Sequence, residues 1–155
     1  MSRTYKTGAA ADRHRGGMTV RFETKIAILL RDDLATWQRL NVTAFLASAL
    51  AAAEPDLVGK AYADADGTPY LAMFRQPVMV FAADGGTVTA AHRRALDRGI
   101  PMAIFTEDLF ATGNDDDNRA AVQTVARDDL NLVGIALHGP RAAVDKILKG
   151  AHLHP

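Results

Sequence analysis

Three short polar segments hold the residue types that chemistry needs: Arg31-Asp32-Asp33, Thr106-Glu107-Asp108 and His138. Glu107 or Asp108 can orient a water molecule or act as a general base. Arg31 or Arg39 can hold an anionic group, with Asp33 and Thr106, beside the arginine and the glutamate, as further substrate-binding candidates. Asn41, Thr43 and Thr112 can hydrogen-bond a carbonyl. Asn41 lies in an apolar stretch between Leu40 and Val42. A buried amide without partners costs on the order of 1–3 kcal/mol, so Asn41 either bonds a strand end or belongs to a site. Polar residues also end strands because chains turn in water there. Convergence is what separates a site from a set of solvated turns, and convergence depends on the elements.

Four apolar runs bounded by charge or turn residues predict strands covered on both faces: KIAILL (25–30), PVMVFA (77–82), PMAIF (101–105) and NLVGIAL (131–137). Thr36 caps a helix running to Ala53, where Glu54 and Pro55 stop it. Trp37, Leu40, Ala44, Ala47 and Ala51 form one stripe of that helix. Val42, Phe45, Ala49 and Leu50 lie on its other side. A helix apolar nearly all round is buried or meets a partner subunit. Asp66-Gly67 reads as a hairpin turn. A helix from Thr87 to Arg98 turns Val88, Ala91, Ala95 and Leu96 inward and stops at Gly99. Residues 106–114 form a loop, and Asp115 caps a third helix holding Ala121, Val122 and Val125. Gly139-Pro140 opens the last helix, Asp145 and Lys149 pair along it, and Gly150 ends it. Strand alternating with helix predicts a three-layer α/β/α sandwich with a mixed, mainly parallel sheet of about four strands. Ligands gather outside the carboxyl ends of such strands, which puts all three polar segments on one rim.

The chain has 155 residues, 48% of them hydrophobic and 23% charged, with zero net charge. This suits one domain with a full core, and no overall basic field recommends a nucleic acid. Without cysteine there is no disulfide, thiolate nucleophile or cysteine-ligated zinc, in keeping with a cytoplasmic location. The histidines form no metal spacing: His14, His152 and His154 sit near the ends, and His92 reads as surface. Asp64, Asp66 and Gly67 fail as a calcium loop because the glycine comes early and Arg75 stands where a glutamate belongs. Gly85-Gly86 is a turn, Asp115 to Asp117 a solvated helix start, and Ser48 has no triad partner. No cofactor, metal or membrane segment is expected. The start, MSRTYKTGAAADRHRGG, is basic and lacks the apolar stretch of a secretory signal. Residues 1–23 read as a disordered basic tail, a misassigned start with Met18 as the true one, or a polyanion-binding arm, before a domain at 24–155.

Residues 24–155 resemble the bacterial family labelled domain of unknown function 2000. The likeness lies in KIAILLRDDL, WQRLNVTAFLASAL, RQPVMVF, IFTEDLFATGNDDDNR and LVGIALHGPRAAVDKILKGAHLHP, in that order. That family falls within the type II peptidyl-tRNA hydrolase superfamily. The hydrolases themselves are similar at Lys25–Leu34, at Gly99–Glu107, and at Gly139-Pro140 with Val144-Asp145-Lys146. The resemblance implies a mixed four-stranded sheet between helices, with a strand that can run antiparallel. It also implies a hydrolase or transferase acting on a small acyl or peptidyl substrate. The catalytic signature departs from the family's. Those enzymes open their first helix with glycine-lysine, two alanines and glutamine. Here Leu40 falls where the lysine would be and Ala44 where the glutamine would be. The acid after the third strand remains as Glu107 beside Asp108, but the arginine-threonine pair after it is replaced by Phe110-Ala111-Thr112. The planar fork of Arg39 does not substitute for a lysine point charge. A neutral chain without that lysine is a poor match for tRNA. A non-catalytic module for a small molecule or partner therefore stands beside the enzyme reading, and the apolar first helix suggests a homodimer.

Overall fold

The apolar runs do become strands: β1 (Thr24–Arg31), β4 (Val78–Ala83), β5 (Met102–Thr106) and β6 (Leu132–Pro140). The computed structural model describes residues 20–155. The tail reading for residues 1–19 lies outside them. Within the described part, the Phe22 and Glu23 carbonyls accept hydrogen bonds from Arg141 Nε and N–H at 3.3 and 3.0 Å. Two-residue strands β2 (Tyr62–Ala63) and β3 (Pro69–Tyr70) make the expected hairpin, with Gly67 at φ 81°. A last pair, β7 (His152–Leu153), joins β4, so the histidines near the C-terminus sit against the sheet.

Among the described residues the main sheet has five strands in the order β5-β6-β1-β4-β7. The expectation of a mainly parallel sheet of about four strands is corrected here. Only β1–β4 is parallel, while β1–β6, β5–β6 and β4–β7 are antiparallel. The cause is the connection between β5 and β6. It leaves and returns at the same rim, where Glu107 N–H donates to the Asn131 carbonyl at 2.9 Å, so β6 must run back down between β5 and β1. A crossover to the opposite rim is what parallel pairing would have required.

The layered expectation holds. Helix α1 (Thr36–Ala53) covers one face, and α2 (Gly85–Asp97) and α4 (Arg141–Ile147) cover the other. The alternation of β1 divides the core between them: Ile26, Ile28 and Leu30 face α1, while Ala27 and Leu29 face α2 and α4. A Cβ on Gly134 would stand 2.8 Å from Val42 Cγ1, so α1 lies almost on the backbone of β6. Helix α3 (Asp115–Gln123) has no buried residue and stands beside the sheet.

Several local expectations are corrected. Val42, Leu46 and Leu50 form the inner face of α1, while Trp37, Leu40 and Phe45 are 61%, 68% and 53% exposed. Ala35 occupies the cap position in place of Thr36, and the Gln38 side chain accepts from its N–H at 2.9 Å. Asp84 caps α2, so Gly85-Gly86 is its first turn; Leu96 points outward and His92 is buried. Asn114, not Asp115, caps α3. Gly139 and Pro140 end β6, and Asp145 pairs with Lys25 at 2.5 Å instead of with Lys149.

Candidate functional site

Arg31 ends β1 and Glu107 follows β5, so the sheet brings them to one rim as expected. The Arg31 guanidinium is the hub. Nε donates to Asp33 at 2.5 Å, Nη1 to Asn131 Oδ1 at 2.8 Å and Nη2 to Glu107 Oε2 at 3.0 Å. Asn131 Nδ2 donates to the same Glu107 oxygen at 2.8 Å. Burial disfavours the charge on Arg31, whose side chain is 15% exposed. The hydrogen bonds and charges of Asp33 and Glu107 outweigh that, so its pKa is raised. Asn131 was missed because β6 was expected to run the other way. Once β6 is antiparallel, its first end shares the rim with the last ends of β1 and β5.

The same reversal corrects His138. It sits at the opposite rim, paired with Ile26 near the start of β1, and its Nδ1 lies 2.9 Å from Glu54 Oε2.

Asn41 and Thr112 meet in a groove of about 360 Å³ between α1 and the turn Glu107–Ala111 with the start of α3. Its walls are aromatic. Trp37 and Phe110 stand edge to face at 5.6 Å, Phe105 and Phe110 lie 5.2 Å apart, and Phe45 and Phe105 5.8 Å. The side-chain amide of half-buried Asn41 makes no hydrogen bond among the described residues, so it is free to serve a ligand. The Thr112 hydroxyl reaches the Leu109 carbonyl at 2.9 Å and pairs with Asn118. Glu107 and Asp108 lie one or two residues before the segment that lines the groove, both exposed. The aromatic residues carried no chemical pattern in the sequence; the fold marks them by leaving Trp37 and Phe45 exposed beside half-buried Phe110 and buried Phe105.

The other expected residues do not join. Arg39 and Thr43 project about 200° around α1 from Asn41 and Phe45 respectively, onto its other flank. Arg39 donates to the Leu34 and Asp32 carbonyls, both at 2.8 Å, and meets His154 Nε2 at 3.0 Å. It ties the β1–α1 loop to the C-terminal end and has little left for an anion. Thr43 bonds back to the Arg39 carbonyl at 2.7 Å, and both line a separate apolar cleft against β4 and β7. The Thr106 hydroxyl is buried and has no partner among the described residues. No group of three or more His, Asp or Glu side chains suited to a metal occurs among those residues.

An aromatic groove beside a clamped arginine–carboxylate rim, on a mixed sheet between helices, defines an α/β domain with a ligand-sized cleft. The chain belongs to the family described as Protein of unknown function (DUF2000), whose model matches residues 24–155. It is similar to the solved structure of the protein of unknown function Atu0240 from Agrobacterium tumefaciens strain C58. Identity is 44% and the TM-score 0.85, covering 87% of this chain and all (100%) of that one. No curated protein matches. Among the described residues, no helix is long and apolar enough to cross a membrane.

Proposed function

We propose that this chain binds a small ligand joining an aromatic or branched apolar group to an amide or carbonyl, without turning it over. The single observation behind this reading is the unpartnered Asn41 amide inside an aromatic-walled groove. An amide both donates and accepts, which suits a peptide-like or acyl group. Apolar walls with a few placed polar groups are the usual makeup of such sites. The position where the related hydrolases carry lysine holds Leu40, and the nearby arginines are committed to Asp33, Glu107 and backbone carbonyls.

Trp37 is the sole tryptophan and lines the groove, so its fluorescence reports occupancy. Titration with N-acetylphenylalaninamide is expected to shift its emission saturably, and Asn41→Ala to weaken binding by roughly tenfold. A flat titration sinks the reading. A second reading is a hydrolase or transferase on small acyl or peptidyl substrates, in line with the type II peptidyl-tRNA hydrolase superfamily. The exposed Glu107–Asp108 pair beside the groove favours it. Turnover of acyl esters above background, lost in Glu107→Gln with Asp108→Asn, would establish it.

A homodimer through the outer face of α1 is part of the proposal. Arg39 is the one charged residue in that 18-residue helix and its charge turns inward to carbonyls, leaving Trp37, Leu40 and Ala44 outward. Sedimentation is expected to give a dimer mass that Leu40→Glu halves. A monomer at all concentrations rejects it.

A further inference from the structure

The groove at Asn41 continues along β5. A second cavity of about 290 Å³ follows between Phe45 and Ala49 on α1, Ala103 to Phe105 on β5, and Asn118, Arg119 and Val122 on α3. A third of about 310 Å³ lies between Ala49 and Ala53 on α1 and Pro101 to Ala103 at the start of β5, Pro101 just ahead of the strand. The three cavities are thus strung along one α1 ridge, Asn41-Phe45-Ala49-Ala53, at steps of one helical turn. Four helical residues rise about 6 Å, and two strand residues advance about 6.6 Å. Alternate side chains of an extended peptide therefore match the spacing.

The floor supplies the backbone partner. Strand β5 is an edge strand that pairs only with β6 among the described residues. Antiparallel pairing turns about half of its N–H and C=O groups toward β6. The outward half finds no other backbone or side-chain partner over Met102–Phe105 in the described chain. Natural edges are commonly guarded by charge, proline or a covering segment; MAIFT contains no charge and no proline, Pro101 lies just before it, and α3 faces it only across the second cavity.

From this we infer that the groove takes an extended peptide as an added strand on β5, its alternate apolar side chains seated in the three cavities. Charge selects the partner's ends. Glu54, paired with His138, borders the third cavity, and Asp115 at the start of α3 borders the first and second, in a helix of three aspartates against one arginine, a net −2. An apolar stretch flanked by lysine or arginine complements both ends. A second copy's β5 does not fit this role, since its Phe105 is already buried beneath its own α1. The inference rests on the binding reading above and deepens it: the small amide fills only the first cavity.

The test titrates full-length chain with capped octapeptides, lysine at both ends and threonine alternating with Phe, Leu or Val between. Trp37 emission and calorimetry are the readouts. Peptides are expected to bind at least roughly tenfold tighter than N-acetylphenylalaninamide. N-methylation of the peptide backbone is expected to weaken binding by roughly tenfold at one parity and to leave the other nearly unchanged, because only alternate amides face β5. Ala53→Phe, filling the third cavity about 24 Å along α1 from Trp37, is expected to weaken the peptides while sparing the small amide. Equal effects of N-methylation at both parities, or peptides no tighter than the small amide, overturn the strand-addition proposal and leave the binding reading standing. Loss of small-amide binding as well sinks both. Competition by a synthetic peptide of residues 1–19, or peptide binding that dissociates a dimer, reassigns the groove to the chain itself and overturns the foreign-peptide proposal.

Discussion

Arg31 uses Nε–H and one hydrogen on each terminal nitrogen to hold Asp33, Asn131 and Glu107 together. Three strand ends thereby share one cation. Removing it leaves Asp33 and the Asn131 oxygen without this donor, and Glu107 with Asn131 Nδ2 alone, at a partly desolvated spot. Arg31→Ala is therefore expected to cost about 1–3 kcal/mol in urea denaturation, and Arg31→Lys to recover only part, since an ammonium cannot reproduce the fork. Full recovery with lysine would show that charge alone mattered. Arg31, Asp33 and Glu107 were legible because each follows an apolar run. Asn131 was not, because which rim a residue occupies depends on strand direction. Arg39 misled for a different reason: its identity announces a cation, but only its contacts show that it holds carbonyls.

At the scale of elements, the approach of α1 to β6 sets the position of the groove wall. Gly134 is the enabling residue, since a methyl there would meet Val42 Cγ1 at 2.8 Å and Leu46 Cδ1 at 3.0 Å. Both side chains are fully buried and cannot swing away. Gly134→Ala is expected to destabilise by about 1–3 kcal/mol and to weaken small-amide binding, because α1 must shift outward. Unchanged melting and affinity would show that the contact relaxes freely. The existence of all four helices was readable from apolar spacing. Their starts were off by one to three residues because Ala35, Asp84 and Asn114 hold the cap positions ahead of Thr36, Thr87 and Asp115, where the helices were expected to begin. The inner face of α1 was harder: nearly every position is apolar, so hydrophobicity alone could not orient it.

For the molecule as a whole, His92 couples stability to pH. It is 8% exposed, on α2 beside Arg127 and Arg93. Burial first, then repulsion by Arg127 and Arg93, lower its pKa from the ordinary 6.5; Asp128 opposes. The unfolded chain therefore takes up this proton at higher pH than the native one. Stability from neutral His92 is present above pH 6.5 and is lost as pH falls from there through the depressed native value. Thermal melts between pH 7 and 5 are expected to show that loss, and His92→Gln to flatten it. An identical slope in the variant would assign the pH dependence elsewhere.

Apolar runs, helix spacing and strand-end polarity determined the strands, the helices, the two-faced layering and the placing of Arg31 and Glu107 on one rim. These follow from local patterns that burial on both faces of a sheet imposes on any chain. Tertiary structure decided the direction of β6, and with it the recruitment of Asn131 and the removal of His138 from the rim. It also decided which side of α1 faces water, and so which aromatics wall a groove. Neither choice is local: strand direction depends on where a 25-residue excursion from Glu107 to Asn131 returns, and the exposed side of an apolar helix depends on what packs against it.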